Sequence, residues 1–450
     1  MRDPAGSIRF EPDRVVRDLK APLPQDHFLR SALARAWVER GDLVPFEIAD
    51  ERTIVARRLP FVSQPSEWSD PQLHAAAALT LRLQDEAVQA GYDMKDASAW
   101  NVLFVGCRPV FCDLLSFEPL TDRRWWALGQ FARHFLLPLL VSRRRGLKAH
   151  AAHAVWRDGM PVGQARALLG WTIFLTRHGM LLLGGQQGSH SDTRDVLPAW
   201  PGTGRRDPVE DTRRFRSGVH ASMAWMLAGV APVQSRDEAK GWAGYRQDRS
   251  HYQGASLELK RATVARWLER LSPNWVLDLG CNTGEFSVLA ARGGARVVSA
   301  DADHDSVAAA FAACEGHESI HPIVCALDDV RGGRGWAGSE FTGLMPRLEG
   351  RIDLVLMLAL IHHLAVGAAV PLADIARFAA VVTKDALIVE LIDTDDEQLH
   401  SLCRQRRRDV AEFGAEHQRR AFLEAGFTLI EEVALDGANR SLALFRKMQP

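Results

Sequence analysis

The sequence has few of the features that hold small or secreted proteins together by covalent or metal cross-links. No Cys-x-x-Cys pair and no Cys/His cluster of zinc spacing occurs in it. This pattern excludes a disulfide framework and predicts no metal centre, and we expect a cytoplasmic protein whose thiols are reduced. The six cysteines are Cys107, Cys112, Cys281, Cys314, Cys325 and Cys403.

The chain also has little net charge and no clear membrane segment. Its 55 Lys and Arg residues nearly balance its 56 Asp and Glu residues, so composition predicts neither a nucleic-acid nor a membrane partner. The first residues contain no apolar core of a signal peptide. The 20-residue run 354–373 carries no Asp, Glu, Lys or Arg, but two histidines, Gly367 and Pro371 interrupt it. We interpret it as a buried strand followed by a loop or helix.

The most informative stretch runs from Trp275 to Asp303. An apolar run ends near an acid, a glycine-containing turn and a short helical run follow, and a second apolar run ends in another acid. Such a pattern is typical of a βαβ unit whose turn glycines allow close approach of a ligand. Asp301 follows Asp278 by 23 residues, as expected of an acid that hydrogen-bonds a ribose diol. The stretch therefore predicts a nucleoside ligand.

The turn itself reads Asp278-Leu-Gly280-Cys281-Asn282-Thr-Gly284 and differs from the Gly-x-Gly-x-x-Gly of dinucleotide-binding proteins. It resembles motif I of the class I S-adenosylmethionine-dependent methyltransferases. Asn282 stands where a glycine is commoner, and asparagine tolerates a positive φ better than most residues. The resemblance implies an α/β fold with a Rossmann-like, seven-stranded sheet at the C-terminus, and S-adenosylmethionine as cofactor.

The same resemblance implies a set of cofactor-binding residues. It places the loop residues beside the methionine part of the cofactor and Asp301 on its ribose. Ala302 and Asp328 would contact adenine, and Leu358 would lie near the sulfur. Cys281 is interpreted as a small packing residue rather than a nucleophile. The full set is Asp278, Gly280, Cys281, Asn282, Gly284, Asp301, Ala302, Asp328 and Leu358.

Candidate general bases follow the next predicted strands. His362 and His363 come after the fourth strand, where class I enzymes often receive the acceptor, and Glu390 or Asp393 ends the fifth. A histidine there could accept a proton near neutral pH. The alternative is that the histidine pair caps the strand and packs against the sheet.

A second constellation lies in the N-terminal half. A predicted hairpin turning at Gly106 is flanked by Asp96, Asn101 and Asp113, a spacing that resembles the catalytic and magnesium-binding loop of kinase-like phosphotransferases. Met94 stands where that family has histidine, and no glycine-rich phosphate loop precedes it. The resemblance implies a kinase-like fold reused for binding rather than phosphoryl transfer. An unrelated hairpin is the other interpretation.

We predict an α+β N-terminal domain over 1–183, a linker and helical connector over 184–245, and a methyltransferase domain over 246–450. The Gly-, Ser- and Pro-rich part, 184–218, is predicted as the linker. As a whole, the chain resembles bacterial two-domain methyltransferases related to a rhizobial nodulation protein. The residues that carry this resemblance are Arg2-Asp-Pro, Glu67-Trp68, Lys95-Asp-Ala-Ser, Asp113-Leu-Leu-Ser-Phe-Glu, Gly335-Trp336 and Leu358 to Leu364.

The function predicted from these resemblances is methyl transfer from S-adenosylmethionine to a small-molecule or glycan acceptor. Two alternatives stay open at this point. One is a non-catalytic, cofactor-binding or regulatory protein on a methyltransferase fold, and the other is a bifunctional protein with a phosphotransferase-like N-terminal domain. The intact acids at 278 and 301 favour the methyltransferase.

Overall fold

The computed structural model describes residues 5–179, 208–232, 254–435, 437 and 439–448. The chain divides into two compact units, Met1–Gln234 and Ser235–Pro450. Of the predicted linker and connector, 184–207 and 233–245 lie outside the described residues. No helix in the described part of the chain combines the length and the apolar character that a membrane crossing requires.

The N-terminal unit combines small antiparallel sheets with helices. Its largest sheet has four strands in the order β1-β2-β4-β3, and β5 pairs with β8 and β6 with β7. The strands are β1 Gly6–Phe10, β2 Arg14–Leu19, β3 Phe46–Asp50, β4 Thr53–Arg57, β5 Tyr92–Met94, β6 Val102–Val105, β7 Arg108–Phe111 and β8 Phe117–Pro119. The α-helices are α1 Ala32–Arg40, α2 Asp70–Gln89, α3 Leu128–Phe131, α4 Leu137–Arg145, α5 Ala149–Val155, α6 Val162–Leu169 and α7 Pro208–Ala228. Shorter helical turns are Phe28–Arg30, Pro65–Glu67, Ala99–Asn101, Ala132–Leu136 and Trp171–Leu175.

Helix α7 begins at Pro208, within the stretch predicted as a linker and helical connector. Its Arg216 is buried and forms an ion pair with Asp93, and it also donates a 2.7 Å hydrogen bond to the carbonyl oxygen of Arg124. This buried pairing fixes α7 against the N-terminal unit, because an unpaired charge there would be costly. The composition of 184–218 could not reveal it, since Asp93 lies 123 residues from Arg216.

The C-terminal unit alternates strands and helices. Its strands are β9 Trp275–Leu279, β10 Arg296–Asp301, β11 Ile320–Val324, β12 Ile352–Met357, β13 Thr383–Ile392, β14 Phe427–Leu435 and β15 Arg440–Lys447. Its α-helices are α8 Gly254–Leu271, α9 Glu285–Arg292, α10 His304–Ala313, α11 Leu344–Leu348, α12 Leu372–Val382, α13 Glu397–Arg406 and α14 Ala415–Glu424. Three shorter helical segments are Trp336–Gly338, His363–Gly367 and Val410–Phe413.

The seven strands form one sheet in the order β11-β10-β9-β12-β13-β15-β14. Strands β9 to β13 are parallel, and β15 runs antiparallel to both β13 and β14. The predicted Rossmann-like sheet with a C-terminal hairpin is therefore confirmed. The strand order reverses between β9 and β12, and ligands of open α/β sheets bind beyond the carboxyl ends of the strands at such a point. The run 354–373 forms most of β12, a helical turn and the start of α12, as predicted.

Candidate functional site

The turn between β9 and α9 has the backbone conformation that its sequence predicts. Gly280, Asn282 and Gly284 all have positive φ, at 68°, 49° and 80°. A β carbon on Gly284 would lie 3.2 Å from the β carbon of Ala310, so a larger residue would press α10 away. The prediction that Asn282 tolerates a positive φ is thus confirmed, and its own side-chain oxygen accepts the Thr283 amide at 2.8 Å.

Asp301, at the end of β10, joins this turn to the next strand. One carboxylate oxygen accepts the backbone N–H of Asn282 at 2.9 Å, and the other accepts that of Asp303 at 2.8 Å. Burial raises the pKa of this carboxyl above its ordinary value, although the two amides oppose the rise. Each carboxylate oxygen has a second lone pair, so Asp301 is held in place and can still accept hydrogen bonds from a diol.

Asp278 is buried on β9, beneath the turn. Ser287 Oγ donates a 2.6 Å hydrogen bond to one of its oxygens, and Ser299 Oγ lies 2.7 Å from Ser287 Oγ. Burial raises the pKa of Asp278 to about 6, with the hydrogen bond from Ser287 opposing the rise. Because ionising a buried carboxylate is costly, a cationic group of a ligand beside it would strongly stabilise its charged form. No pattern in the sequence pointed to the two serines.

The remaining predicted cofactor residues fall at strand ends of the same sheet. Leu358 is buried directly after β12, whereas Ala302 and Asp328 are exposed after β10 and β11. Cys281 is buried in the turn, and burial raises the pKa of its thiol well above the ordinary value, in keeping with a packing role. Ala359 was not predicted, yet its φ of 51° is strained for alanine and turns the chain sharply after β12.

His362 and His363 follow this strained residue. Their ring centroids are 3.9 Å apart; His362 is buried and His363 half-buried. Burial, assisted by the nearby charge of Arg440, lowers the pKa of His363 to about 4. His363 is therefore neutral at pH 7.

A buried ionic network lies at the carboxyl end of β13. Lys260 Nζ is 2.5 Å from one oxygen of Glu390, and Arg440 Nη1 is 3.1 Å from the other. Arg440 Nε also donates to Asp396 at 2.8 Å and its Nη2 to Gln398 at 2.8 Å. Because both oxygens of Glu390 are ion-paired, the geometry disfavours Glu390 as a general base.

Only one feature of the sequence hinted at this network, an acid inside the apolar run 386–392. Its two basic members stand 130 and 50 residues from Glu390 along the chain. Asp393, the other predicted base, is exposed and accepts the Thr394 amide at 2.6 Å. In the network, the two cations Lys260 and Arg440 neutralise the buried acids and hold the end of β13 in place.

In the N-terminal unit, the predicted hairpin of β6 and β7 is present, and it brings the kinase-like residues together. Asn101 Nδ2 donates to the carbonyl oxygen of Asp96 at 3.2 Å. Burial raises the pKa of Asp96, and the charge of Asp113 adds to the effect. Asp113, however, pairs with Arg17 at 3.1 Å and accepts the Ser116 hydroxyl at 2.6 Å. A guanidinium is thus the partner of the acid that was compared with a magnesium ligand. The described residues contain no cluster of three His, Cys, Asp or Glu side chains suited to a metal.

The strand order, the glycine turn and the two acids agree with the predicted methyltransferase domain. Residues 251–432 match the family described as "Methyltransferase domain". Over its whole length the chain is similar to the nodulation protein NoeA of Rhizobium meliloti (strain 1021), with 26% identity over 469 residues that cover 100% of this chain and 95% of that protein. The predicted relationship to a rhizobial nodulation protein is therefore confirmed.

Two solved structures resemble part of the chain. Magnesium protoporphyrin IX methyltransferase (ChlM) from Synechocystis PCC 6803 with bound SAH is 16% identical and matches with a TM-score of 0.33, over 47% of this chain and 98% of that one. The N-methyltransferase NodS from Bradyrhizobium japonicum WM9 is 15% identical, with a TM-score of 0.32 over 44% of this chain and 99% of that one.

Proposed function

We propose that the C-terminal unit binds S-adenosylmethionine and transfers its methyl group to a small-molecule or glycan acceptor. The observation that carries this proposal is the placement of Asp301. Its carboxylate is fixed by two backbone amides, one of them from the glycine turn, and it retains lone pairs for a ribose diol. The buried acid Asp278 beneath the same turn would repel a pyrophosphate, which disfavours a dinucleotide.

The cofactor would supply an electrophilic methyl group on a sulfonium, so the protein's main contribution is positioning. By resemblance, Asp278 and the turn hold the methionine portion, and the ionised carboxylate suits its ammonium group. Ala302 and Asp328 would contact the adenine, and Leu358 the region near the sulfur. Cys281 and Asn282 would contribute turn backbone, since the thiol is buried and the amide side chain is engaged with Thr283.

His363, or its neighbour His362, would act as the general base toward an acceptor that must lose a proton. Their position after β12, beside the switch point of the sheet, supports this role. The neutral form of His363 is present at pH 7 and can accept a proton. With a pKa of about 4 it is a weak base. It would therefore receive the acceptor's proton as the bond to the methyl group forms, when the positive charge passes from the sulfonium to the acceptor atom and makes that proton more acidic.

Binding of S-adenosylmethionine to the full chain, measured by isothermal titration calorimetry, tests the cofactor site. Asp301→Ala should weaken binding by about 10- to 100-fold, because buried ribose hydroxyls would lose their acceptor. Glu315→Ala, which removes an exposed acid after α10, serves as the matched control and should bind like the wild type. Equal affinity of Asp301→Ala and wild type, or no heat with wild type, would refute the site.

The phosphotransferase alternative has less support. The ion pair of Arg17 with Asp113 satisfies the acid that would hold magnesium, and Asp96 is engaged with the Ser98 amide at 3.0 Å. A kinase-like fold for the N-terminal unit, and the domain limits 1–183 and 246–450, stay predictions. We assign no phosphoryl transfer to this unit.

A further inference from the structure

The N-terminal unit contains a cleft in which three arginine side chains converge. It has a volume of about 300 Å³. Arg143 and Arg144 come from the end of α4, and the opposite wall comes from the segment after the Trp171–Leu175 turn and from the residue after α7. Among the described residues, those that line it are Arg143, Arg144, Thr176, Arg177, His178 and Gly229.

Hydrogen bonds to the end of α7 hold this cleft together. Arg143 donates to the carbonyl oxygen of Ala231 at 2.6 Å, and Arg177 donates to that of Trp225 at 3.0 Å. A β carbon on Gly229 would lie 2.9 Å from the His178 ring and 3.0 Å from Arg177 Cδ. A side chain at that position would therefore enter the cleft wall and displace its basic groups.

Helix capping explains only part of this arrangement. The end of a helix carries roughly half a negative charge, whereas three guanidinium groups line the cleft. Each guanidinium has five N–H groups, and Arg143 and Arg177 each use one on the carbonyls near the end of α7. Among residues 5–179, 208–232 and the other described parts, no carboxylate forms an ion pair with these two arginines or with Arg144. Arg177 also lies over the Trp225 ring, 4.2 Å from its centroid. Within the part of the chain that the structure describes, the positive charge of the cleft is therefore not offset by a carboxylate.

The side chain of His178 lies in the same cleft as the three arginines. Its ring is buried and its Nε2 lies 2.9 Å from the carbonyl oxygen of Met226. Burial lowers the pKa of His178, and the charges of Arg177, Arg144 and Arg143 lower it further. All three guanidinium groups line the same cleft as this ring. Several positive charges at one cleft favour a compact, multiply charged anion over a chloride ion.

We propose that this cleft binds a phosphate group. Arginine matches phosphate through paired N–H donors, and the volume accommodates a phosphate with a small attached group. The phosphate could belong to a soluble phosphate ester or to a phospholipid headgroup. Trp171 and Leu175, which are 72% and 79% exposed in the segment just before Thr176, provide apolar surface next to it. The site is independent of methyl transfer in the C-terminal unit.

Calorimetric titration of the full chain with inorganic phosphate and with glycerol 3-phosphate tests the proposal. We expect saturable binding by the wild type and a loss of affinity of about tenfold in Arg144→Gln, since a charged hydrogen-bond donor is removed. Arg144 holds no helix carbonyl, so the fold should be unaffected, as an unchanged melting temperature would verify. Arg420→Gln, an exposed arginine on α14, makes the same change in net charge and should bind like wild type.

Sedimentation with vesicles of phosphatidylglycerol or of phosphatidylcholine distinguishes the two sources of phosphate. Binding to phosphatidylglycerol vesicles that Arg144→Gln weakens would identify a headgroup site, and binding of the soluble probes alone would identify a soluble ester. Gly229→Ala, which crowds the cleft without changing charge, should weaken either kind of binding. No saturable binding of any probe, or equal affinity in Arg144→Gln and wild type, would overturn the proposal.

Discussion

Replacing Asp278 with asparagine should stabilise the protein without cofactor and, at the same time, remove most of its affinity for S-adenosylmethionine. Burial raises the pKa of Asp278 from 3.8 to about 6, so at pH 8 the folded state holds a carboxylate that its surroundings disfavour. The shift corresponds to a cost on the order of 3 kcal/mol, which the neutral amide would avoid. Asparagine can still accept the hydrogen bond from Ser287.

The pH dependence of this gain follows from the sign of the shift. A raised folded-state pKa means that the protonated form stabilises the fold; this contribution is complete below about pH 4 and is lost as the pH rises through 6. The melting temperature of Asp278→Asn should therefore exceed that of wild type by roughly 5 °C or more at pH 8. The difference should vanish near pH 4.

The expected loss of affinity for S-adenosylmethionine also comes from removing the negative charge of Asp278. An amide cannot neutralise the ammonium group of the cofactor, so binding should weaken by about 30-fold or more. Wild-type affinity should also fall as the pH drops below about 6, where Asp278 takes up its proton. These two changes are measured by thermal denaturation and by calorimetry of the same preparations.

Asp353→Asn is the matched control for both effects. Asp353 accepts the amides of Asn274 and Trp275 at 3.0 and 2.9 Å and pairs with Lys384 at 2.8 Å, near the opposite end of the central strands. Its amide variant should be destabilised and should bind the cofactor normally. A melting temperature of Asp278→Asn at or below that of wild type at pH 8, or unchanged affinity, would contradict the assigned role.

Replacing His363 with alanine should lower kcat by about 100-fold or more and leave cofactor affinity nearly unchanged, if His363 accepts the acceptor's proton. The pKa of His363, lowered to about 4 by burial and by Arg440, also fixes the pH profile. With saturating cofactor, kcat should stay level from pH 8 to about pH 5 and fall only near pH 4. An ordinary histidine would lose activity near pH 6.5.

Two further variants separate catalysis by His363 from packing. His362→Ala removes the buried partner ring, and His417→Ala, on the exposed side of α14, should be neutral. A packing role predicts lower melting temperatures and weaker cofactor binding in both His362→Ala and His363→Ala. A profile of kcat that falls near pH 6.5 would also argue against His363 as the base.

The parts of the fold and of the site that could be predicted from the sequence are those whose residues lie close together along the chain. The acid at 278, the glycine turn and the acid at 301 belong to one βαβ unit, whose local pattern fixes their relative positions. Asn282 was predicted to tolerate the positive φ that it has in this turn, because asparagine adopts that conformation more readily than most residues. The C-terminal sheet could be predicted because apolar, strand-like runs alternate with helical runs along the chain.

What the sequence could not predict depends on contacts between distant residues. Lys260 and Glu390 meet across 130 residues, and Arg17 reaches Asp113 across 96. Neither pairing leaves a trace in local periodicity, since a lysine on a helix and an arginine on a strand look like ordinary surface residues. The strained Ala359 was missed for a similar reason, because alanine carries no signal for a positive φ.

The most direct test of the central claim is transfer of labelled methyl groups from S-adenosylmethionine into an extract of the cells that make this protein. We expect the wild type to label a small-molecule or glycan fraction that resists nuclease and protease. Asp301→Ala, at cofactor concentrations near the wild-type Kd, should label it at least several-fold more slowly. Cofactor binding by the wild type without any transfer would instead show a methyltransferase fold that serves only to bind. Equal labelling by wild type and Asp301→Ala would contradict the assignment of the cofactor site.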